Sequence, residues 1–407
     1  MTFAVRTLTE ADLDAVLDVD GAAFSEHAEA PNRETVASTI EWDRMFGAFE
    51  GDRLCGVAGA YGVEVTVPGL VPVATSGVTA VGVLPTHRRR GIVTALMAHQ
   101  LDDVAARGEA LAILNASEAT IYGRFGYGVA SVWREAEIVR SRSRFATPVA
   151  DGLALRLLTR DEAVAAAPAW FEAYRVSRPG EINRPATWWP AIFGEHPTWK
   201  GGGKIFIVAC EPDDPSVPGG YAVYLVTRDG PAGSWRLQVR EVVAADPEVA
   251  AALWRYLLDV DLVDVVVADA MAVDDALRWR LEDWRALHVT RESDYLWVRL
   301  IDPAAALAAR RYRVHDALVV EITDRFRPAQ TGCYRVEGDG SGAHAARVDA
   351  APDLVLDVAA LGSLYLGSAR ASVLARAGRV RECRPGALDR ADRFFGSDVE
   401  PFCVTHF

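Results

Sequence analysis

The chain has 407 residues, half of them hydrophobic, and a formal net charge of −13 at pH 7. This length exceeds that of a single domain core and predicts two or three domains. The negative charge disfavours nucleic acid and anionic membrane surfaces as partners, and it favours a cationic substrate over long range. No apolar run reaches membrane-spanning length and residues 1–6 lack a secretory layout, so we expect no membrane span and a cytoplasmic location.

The cysteines are scattered along the chain without paired spacing. Structural zinc sites and disulfide frameworks both depend on short, repeated cysteine intervals. We therefore predict neither a disulfide framework nor a bound metal ion for these five residues: Cys55, Cys210, Cys333, Cys383 and Cys403.

The first elements are typical of a mixed α/β sheet. Residues 3–6 are predicted to form a strand, and a helix follows at Thr9, with Asp12 at the capping-box position. Gly-Asp and Pro-Gly turn signals separate the next apolar stretches. These stretches predict neighbouring strands at residues 46–49, 54–67 and 78–83.

An arginine-rich loop, Arg88-Arg89-Arg90-Gly91, follows the last of these strands. After it comes a predicted amphipathic helix that ends at Gly108, and then a strand at residues 111–114. A helix start offers unpaired N–H groups and a favourable dipole to an anion, and Gly91 lets the backbone approach it closely. The loop could instead be a solvated basic turn or a patch that binds nucleic acid. The negative net charge of the chain disfavours nucleic-acid binding.

The pattern of strand and helix begins again, in weaker form, near residue 153. Residues 155–162 echo residues 5–12, and strand, helix and strand recur within residues 239–267. In place of the arginine loop, this second copy has Asp246 and Glu248, whose carboxylates would repel a pyrophosphate. We therefore expect one working site per chain, in the N-terminal unit.

A third unit begins near residue 303. It is predicted to contain a helix at residues 304–310, a turn at residues 338–342 and helical stretches near Leu361 and Val373. Strands are predicted around residues 318–322, 333–336 and 354–356. The unit has no clustered His, Cys or carboxylate set that would form an independent active site.

Two sets of motifs resemble a known family. The pattern Arg88-x-x-Gly91-x-Val93, with Val81-x-Val83 before it, resembles the acetyl-coenzyme A signature of the GNAT superfamily of N-acetyltransferases, although Val93 stands where Gly or Ala is usual. Longer strings resemble the enhanced-intracellular-survival (Eis) acetyltransferases more narrowly. They lie at residues 85–91, 116–118, 121–128, 362–367 and 397–399.

The resemblance implies an α/β (α+β) fold with two GNAT-type mixed-sheet units in tandem, followed by a sterol-carrier-protein-like α/β domain. The corresponding expected boundaries are 1–148 for the GNAT unit with the active site, 149–300 for the GNAT-like unit without a pyrophosphate loop, and 301–407 for the C-terminal domain. The resemblance also implies a homohexamer and acetyl-CoA as the acetyl donor.

Cofactor contacts are implied in the same way. The amides of Val81 and Val83, with Gly82 between them, would bind the thioester carbonyl and the pantetheine arm. Ser117 and Glu118 would contact the cofactor further along. The pyrophosphate would be surrounded by the loop and helix start, namely Arg88, Arg89, Arg90, Gly91, Ile92, Val93 and Thr94.

The resemblance assigns the general acid to Tyr122, whose usual pKa near 10 keeps it protonated at neutral pH. The alternative is an aromatic wedge formed by Tyr122, Phe125 and Tyr127. The general base would be the α-carboxylate of Phe407, folded back into the N-terminal site. Its alternative is a frayed terminus, but the apolar run at residues 401–404 indicates a buried tail.

The implied acceptor is a cationic amine, because acids beside an aromatic wall suit ammonium groups. Phe24, Glu26 and Tyr61 are the expected lining, with core packing as the alternative for Phe24. Where family members have Glu, His or aromatic residues, this chain has His406, Asn115, Leu13 and Ala80. These departures predict a wider or differently shaped pocket.

The sequence is compatible with two functions, one catalytic and one of ligand binding. The first is an enzyme that acetylates a multi-amine compound such as an aminoglycoside, with protein lysines as a second possible acceptor. The second is a binding protein that carries an apolar ligand in its C-terminal domain. The presence of both the arginine loop and Tyr122 favours the enzyme.

Overall fold

The computed structural model describes residues 3–24, 37–194, 204–228 and 233–407. These residues form two compact units. One takes in the described parts of 1–131, 295–398 and 406–407, and the other those of 132–294 and 399–405. Within these ranges, no helix has both the length and the apolar character needed to span a lipid bilayer.

The strands, in chain order, are β1 (Ala4–Thr7), β2 (Phe46–Glu50), β3 (Arg53–Val67), β4 (Val71–Val83), β5 (Leu111–Asn115), β6 (Gly128–Val129), β7 (Val132–Val139), β8 (Leu153–Leu158), β9 (Ile205–Pro212), β10 (Gly220–Thr227), β11 (Trp235–Ala244), β12 (Val263–Met271), β13 (Leu287–Asp294), β14 (Leu296–Leu300), β15 (Asp316–Thr323), β16 (Gly332–Gly338), β17 (Ala343–Val348), β18 (Leu354–Asp357) and β19 (Val380–Glu382). The α-helices are α1 (Leu13–Phe24), α2 (Ile92–Ala106), α3 (Ala119–Tyr122), α4 (Arg160–Arg175), α5 (Trp189–Ile192), α6 (Pro247–Asp259), α7 (Leu277–Arg280), α8 (Pro303–Ala309), α9 (Val358–Tyr365), α10 (Ala371–Arg376) and α11 (Ala387–Phe395).

Three mixed sheets organise these elements, each with one parallel pair of strands. The first has the order β1-β2-β3-β4-β5-β14-β6, the second β13-β7-β12-β11-β10-β9-β8, and the third β17-β16-β15-β18-β19. Strand β7 follows β6 along the chain but joins the second sheet, whereas β14 returns to the first and lies between β5 and β6. Each of the first two sheets thus contains a strand from beyond its own stretch of chain, and the boundaries after residues 148 and 300 stay predictions.

A capping box follows the first strand of each half. The Thr9 amide donates to Asp12 Oδ2 at 2.9 Å, and the Thr159 amide donates to Glu162 Oε2 at 2.7 Å. Both boxes satisfy N–H groups at a helix start that would otherwise lack a partner. The sequence echo between residues 5–12 and 155–162 therefore corresponds to the same local structure.

Helix α2 packs its apolar stripe into the core of the first compact unit. Leu96, Met97, Leu101 and Val104 are buried as the spacing predicted. The helix ends at Ala106, and Gly108 follows in the left-handed conformation, with φ of 76°. This confirms the predicted helix and its glycine stop.

The second compact unit builds its core between its sheet and helices α4 and α6. Helix α6 buries Leu253, Trp254 and Leu257 against the sheet. On another face, Phe171 of α4 packs edge-on against Trp189, with ring centroids 5.5 Å apart. Apolar burial on this scale is the main term that stabilises such a layered α/β unit.

The region after residue 303 packs on the first sheet through glycine. A Cβ at Gly128 would lie 1.8 Å from the Ala359 carbonyl oxygen, and a Cβ at Gly362 would lie 2.2 Å from the Val298 carbonyl oxygen. Real Cβ atoms do not approach backbone so closely, so only glycine permits this contact of α9 with β6 and β14. The Gly362–Gly367 string is thus explained by packing.

A buried ion pair lies beneath the same contact. Arg299 Nη2 donates to Asp324 Oδ2 at 2.6 Å, and both side chains are almost completely buried. The other Asp324 oxygen accepts the amides of Phe326 and Arg327. Each charge is therefore compensated only as long as its partner is present.

We predict that Asp324→Ala lowers the free energy of unfolding by about 3–5 kcal/mol, because it leaves the Arg299 charge buried and unpaired. Urea unfolding followed by tryptophan fluorescence would measure the change. Glu337→Ala, which breaks the exposed pair with Arg335, is the control and should leave the transition in place. An Asp324→Ala loss below about 1 kcal/mol would contradict this account.

Candidate active site

Strands β4 and β5 run parallel and then separate. Their pairing extends from Thr75 opposite Leu111 to Val78 opposite Leu114, whereas β4 continues to Val83. The separation occurs at the carboxyl ends of the two strands, the usual position of ligand sites in α/β sheets. It opens a gap in the middle of the sheet.

A β-bulge in β4 accompanies the separation. Ala80 and Val81 both lie opposite Ala58, because the register with β3 shifts between the Gly59–Thr79 and Val57–Gly82 pairs. Ala80 has φ of 48°, a left-handed conformation that costs an L-residue about 1–2 kcal/mol. The strain lies beside the gap, where backbone strain is often associated with function.

A cavity of about 320 Å³ lies at this gap. The volume is at the lower end of the range for small-molecule sites. It brings together seven of the site residues predicted from the sequence with others from α1, β4 and the end of β5. Its lining is Asp20, Phe24, Val78, Thr79, Ala80, Val81, Asn115, Ala116, Ser117, Tyr122, His406 and Phe407.

Tyr122 lines the cavity and is 6% exposed. Burial raises its pKa to about 12, and the nearby Glu118 carboxylate adds to the shift. Its ring contacts Tyr127 edge-on, with centroids 6.1 Å apart. Tyr127 and Phe125 are fully buried in the core, so only Tyr122 of these three aromatic residues reaches the cavity.

Phe407 also lines the cavity, and its ring lies against β4. A Cβ added at Gly77 would be 3.2 Å from the Phe407 Cε2 atom. The preceding residue, His406, is exposed and lies 6.4 Å, between ring centroids, from Tyr295. Gly77 thus provides the surface on which the phenylalanine ring rests, a role that the sequence analysis did not identify.

The arginine loop forms the entry to α2. Arg89 and Gly91 both have positive φ, 60° and 85°, while Arg88 has φ of −61°. Arg88 itself is extended, with ψ of 154°. Successive amides in a turn of this kind can face one side and bind an anion, and we call residues 89–91 the nest. Space is open around Gly91 where a Cβ would stand, and no described side chain caps the helix. The helix dipole favours negative charge at the same place.

The three arginines differ in their contacts. Arg88 donates to the Ala23 carbonyl at 3.0 Å, and Arg90 pairs with Glu50. Arg89 is exposed and makes no hydrogen bond or ion pair with the described residues. Arg89 is therefore the loop arginine most available to a bound anion, whereas Arg88 ties the loop to α1.

The remaining loop and strand residues serve mainly to hold this entry in place. Gly82 and Val83 are buried in the sheet, Ile92 is buried in the core below the helix, Val93 is partly buried, and Thr94 is exposed. Ser117 and Glu118 are exposed after β5, with Ser117 on the cavity and Glu118 at the start of α3.

The acceptor side of the cavity has an acid that the sequence analysis missed. Asp20 lines the cavity from α1, four residues after the buried Val16 and four before Phe24. The sequence could have indicated it, because a carboxylate here occupies a position where the helical spacing predicts a buried apolar residue. Phe24 is 41% exposed and lines the cavity, which argues against core packing. Tyr61 does not line the cavity. Burial raises the pKa of its hydroxyl, and a hydrogen bond with Thr39 lowers that pKa by a smaller amount.

Three of the four departures from the family pattern line the cavity, namely Ala80, Asn115 and His406, whereas Leu13 does not. Asn115 lines the cavity and donates to the Tyr295 carbonyl at 3.2 Å, and its buried Oδ1 atom has no partner among the described residues. Leu13 is buried in the core of the unit. Glu26, expected to line the pocket, lies outside the described residues.

The corresponding helix start in the second compact unit is occupied by protein. Asp246 Oδ1 accepts the amides of Glu248 and Val249, at 2.8 and 3.1 Å. A cavity of about 340 Å³ lies beside this helix start, with Asp246 in its wall. The carboxylate takes the N–H groups that a pyrophosphate would need and repels a second anion.

Family comparisons agree with the three sheets. Residues 4–130 and 180–300 each match a family model for an acetyltransferase (GNAT) domain, and residues 303–404 match a sterol carrier protein domain. The expected fold, two GNAT-type units followed by a sterol-carrier-protein-like domain, is therefore confirmed.

Full-length relatives point the same way. The chain is 39% identical over 411 residues to an uncharacterized N-acetyltransferase of Streptomyces avermitilis, with 99% of each chain covered. It is 33% identical over 411 residues to the N-acetyltransferase Eis of Mycobacterium tuberculosis, with 98% of each covered. The crystal structure of Eis1 from Mycobacterium abscessus is similar with a TM-score of 0.87 and 35% identity, covering 99% of this chain and 100% of that one.

Identity above 30% across nearly the whole length, together with the two GNAT domains, also confirms that the protein is an enzyme of the transferase class. The chain belongs to the Eis family of GNAT N-acetyltransferases.

Proposed function

We propose that this enzyme transfers acetyl from acetyl-CoA to an amine of a cationic multi-amine acceptor such as an aminoglycoside. Tyr122 acts as the general acid, and the Phe407 α-carboxylate acts as the general base. The observation that carries the proposal is that both residues line one cavity, at the gap between β4 and β5. The acceptor enters from the side of Asp20 and Phe24.

The first support concerns coenzyme A. The nest at Arg89 to Gly91 and the start of α2 suit its diphosphate, which needs amide donors and positive charge. Main-chain groups of Val81 to Val83, where β4 leaves β5, suit the amides of the pantetheine arm. Ser117 lines the same cavity and Glu118 follows it, so both are placed to contact the arm.

The second support concerns proton transfer. Bound acetyl-CoA supplies a thioester whose carbonyl carbon is attacked by the acceptor amine, so that a C–N bond forms and the C–S bond breaks. The Phe407 carboxylate takes the proton lost by the amine. Tyr122, which burial keeps protonated, gives its proton to the departing sulfur. None of the five cysteines is needed as a nucleophile.

The third support concerns the acceptor. The described lining residues include two that carry a carboxylate, Asp20 and the C-terminal Phe407, and neither Lys nor Arg. Phe24 adds an exposed aromatic face, and the buried Asn115 Oδ1 offers an acceptor for an N–H group. Carboxylates and an aromatic face favour an ammonium group over an anion. A protein lysine is the second acceptor of this chemistry.

The carrier function has less support. In the C-terminal domain, Tyr312 stacks on Phe394 with ring centroids 3.9 Å apart, and Phe395 packs edge-on against both. The Arg310 guanidinium lies among these rings and donates to the Phe395 carbonyl at 2.8 Å. Protein side chains thus fill this part of the interior of the C-terminal domain.

A homohexamer, a cytoplasmic location and the domain boundaries after residues 148 and 300 stay predictions. Light scattering of the purified chain would measure the assembly state directly.

Acceptor choice can be tested by thiol-release assays with acetyl-CoA and either kanamycin or tobramycin, beside a lysine-containing peptide. We expect turnover with the multi-amine compounds and little with the peptide, because the cavity carries at least two carboxylates. Turnover with the peptide alone would support the protein-lysine alternative. Failure of every amine, together with tight binding of a fatty acid, would support the carrier.

We predict that Arg89→Ala weakens coenzyme A binding by about 1.5–3 kcal/mol, the size of a charge-assisted contact. Calorimetry measures the dissociation constant. Arg335→Ala is the control, since it removes an equal charge from the exposed face of β16. If both variants bind coenzyme A like the parent, the diphosphate does not lie at this loop.

Tyr122→Phe should lower kcat by about 10²–10⁴-fold, the usual contribution of a general acid, with little change in coenzyme A binding. Tyr127→Phe is a matched control, because the Tyr127 hydroxyl is buried without a partner among the described residues. The acid must be protonated to act, so its activity is lost only as pH rises through about 12. A tyrosine-dependent fall in kcat near pH 8, absent from Tyr122→Phe, would contradict the raised pKa.

Addition of one glycine after Phe407 tests the base. This change keeps the phenylalanine ring but converts its carboxylate into a peptide group. We expect kcat to fall by about 10²-fold or more while the coenzyme A dissociation constant stays the same. Phe407→Ala, which keeps a terminal carboxylate, should retain more activity. Equal kcat values for the extended and parent chains would remove the carboxylate from the mechanism.

A further inference from the structure

Three metal-ligand side chains meet just before the arginine loop. Glu50 lies at the end of β2, Cys55 lies in β3, and His87 lies in the turn between β4 and the loop. One ligand atom of each is within 4.8 Å of the other two. Cys55 and His87 are buried, and Glu50 is partly exposed.

The spacing is close to that of a metal site. His87 Nε2 is 3.2 Å from Glu50 Oε2. Nitrogen and oxygen ligands of one tetrahedral zinc ion, at bonds of about 2.0–2.1 Å, lie roughly 3.3 Å apart. Cys55 Sγ lies within 4.8 Å of the other two ligand atoms, so it needs to approach by at most about 1.3 Å to complete the triangle with a zinc–sulfur bond of about 2.3 Å. The backbone already fixes this pair of segments, because the Leu84 amide donates to the Cys55 carbonyl at 2.9 Å.

The histidine is oriented for ligation. Its Nδ1 atom is 2.8 Å from Thr86 Oγ1. A metal-bound imidazole normally donates its other N–H to an oxygen, which fixes the ring and the tautomer. The threonine hydroxyl can accept that proton, and it can instead donate to Nδ1 when no ion is bound.

The ligand charges favour a cation. Glu50 and a Cys55 thiolate together carry two negative charges, and Arg90, which pairs with Glu50, offsets one of them. Glu50 Oε1 accepts the shorter hydrogen bond from Arg90, whereas Oε2 is 3.2 Å from His87 Nε2 and has only a long contact of 3.5 Å with Arg90 Nη1. The ion can therefore bind Oε2 while Arg90 keeps its main contact.

We propose that Glu50, Cys55 and His87 bind one zinc-type divalent transition-metal ion, with the fourth position open to water. Imidazole, thiolate and carboxylate ligands favour zinc over magnesium or calcium. On binding, the S–H bond of Cys55 breaks, the sulfur–metal bond forms and one proton goes to solvent. The site shares no residue with the lining of the acetyl-transfer cavity. It departs from the expectation of no metal, because its ligands come from the β2–β3 hairpin and from the turn after β4, and a search for short cysteine spacing does not find such a set.

Cobalt(II) titration of the full, tag-free, metal-depleted chain tests the proposal. We expect a thiolate-to-cobalt charge-transfer band in the near ultraviolet that saturates at one equivalent and disappears on addition of zinc. Cobalt affinity should rise about tenfold per pH unit while the thiol is protonated, because one proton is released per ion.

The variants assign the band to these residues. Cys55→Ser should abolish the charge-transfer band. Glu50→Gln is the milder change, because Glu50 is partly exposed, and it should weaken cobalt binding at least about tenfold. Cys383→Ser is the control, since Cys383 lies in a loop of the C-terminal domain. Absence of the band in the parent, its survival in Cys55→Ser, or unchanged affinity in Glu50→Gln would overturn the proposal. If Cys55→Ser does not fold, the Glu50→Gln result decides.

Discussion

The separation of β4 from β5 beyond Val78 is the constraint on which the active site depends. Parallel pairing holds the two strands together up to that residue, and the bulge at Ala80 and Val81 then directs β4 away. The gap exposes strand ends that would otherwise be hydrogen-bonded to each other. Because α2 begins only a few residues after β4 ends, the same divergence brings the gap and a helix N-terminus close together along the chain.

The backbone on both sides of this gap is held in unfavourable conformations. Ala80 and Arg89 are left-handed although neither is glycine. Such residues persist only when the surrounding fold determines them strongly. Here the β3–β4 register fixes the first, and Arg88, bonded to Ala23, anchors the second. The strained residues thus flank the cavity and the nest, where a ligand gains from preorganised amides.

The two halves of the tandem differ locally at the corresponding helix start. Both begin with a strand and a capping box, and both place a helix after a strand end. In the second half, however, Asp246 caps the helix that would receive a diphosphate, whereas Gly91 leaves the first helix start uncapped by any described side chain. A single carboxylate at a helix N-terminus satisfies its amides and excludes an anion.

The sequence by itself determined the local features of this protein. The α2 stripe, the Gly108 stop and the paired capping boxes all depend on residues close together in the chain, whose periodicity and caps encode them. Other features were decided by the tertiary structure alone. The exchange of β7 and β14, the glycine contact of α9, and the meeting of Asp20, Tyr122 and Phe407 at one cavity bring together residues that are distant in sequence. The spacing of residues along the sequence does not indicate such contacts, because long-range packing and strand pairing form them only once the chain has folded.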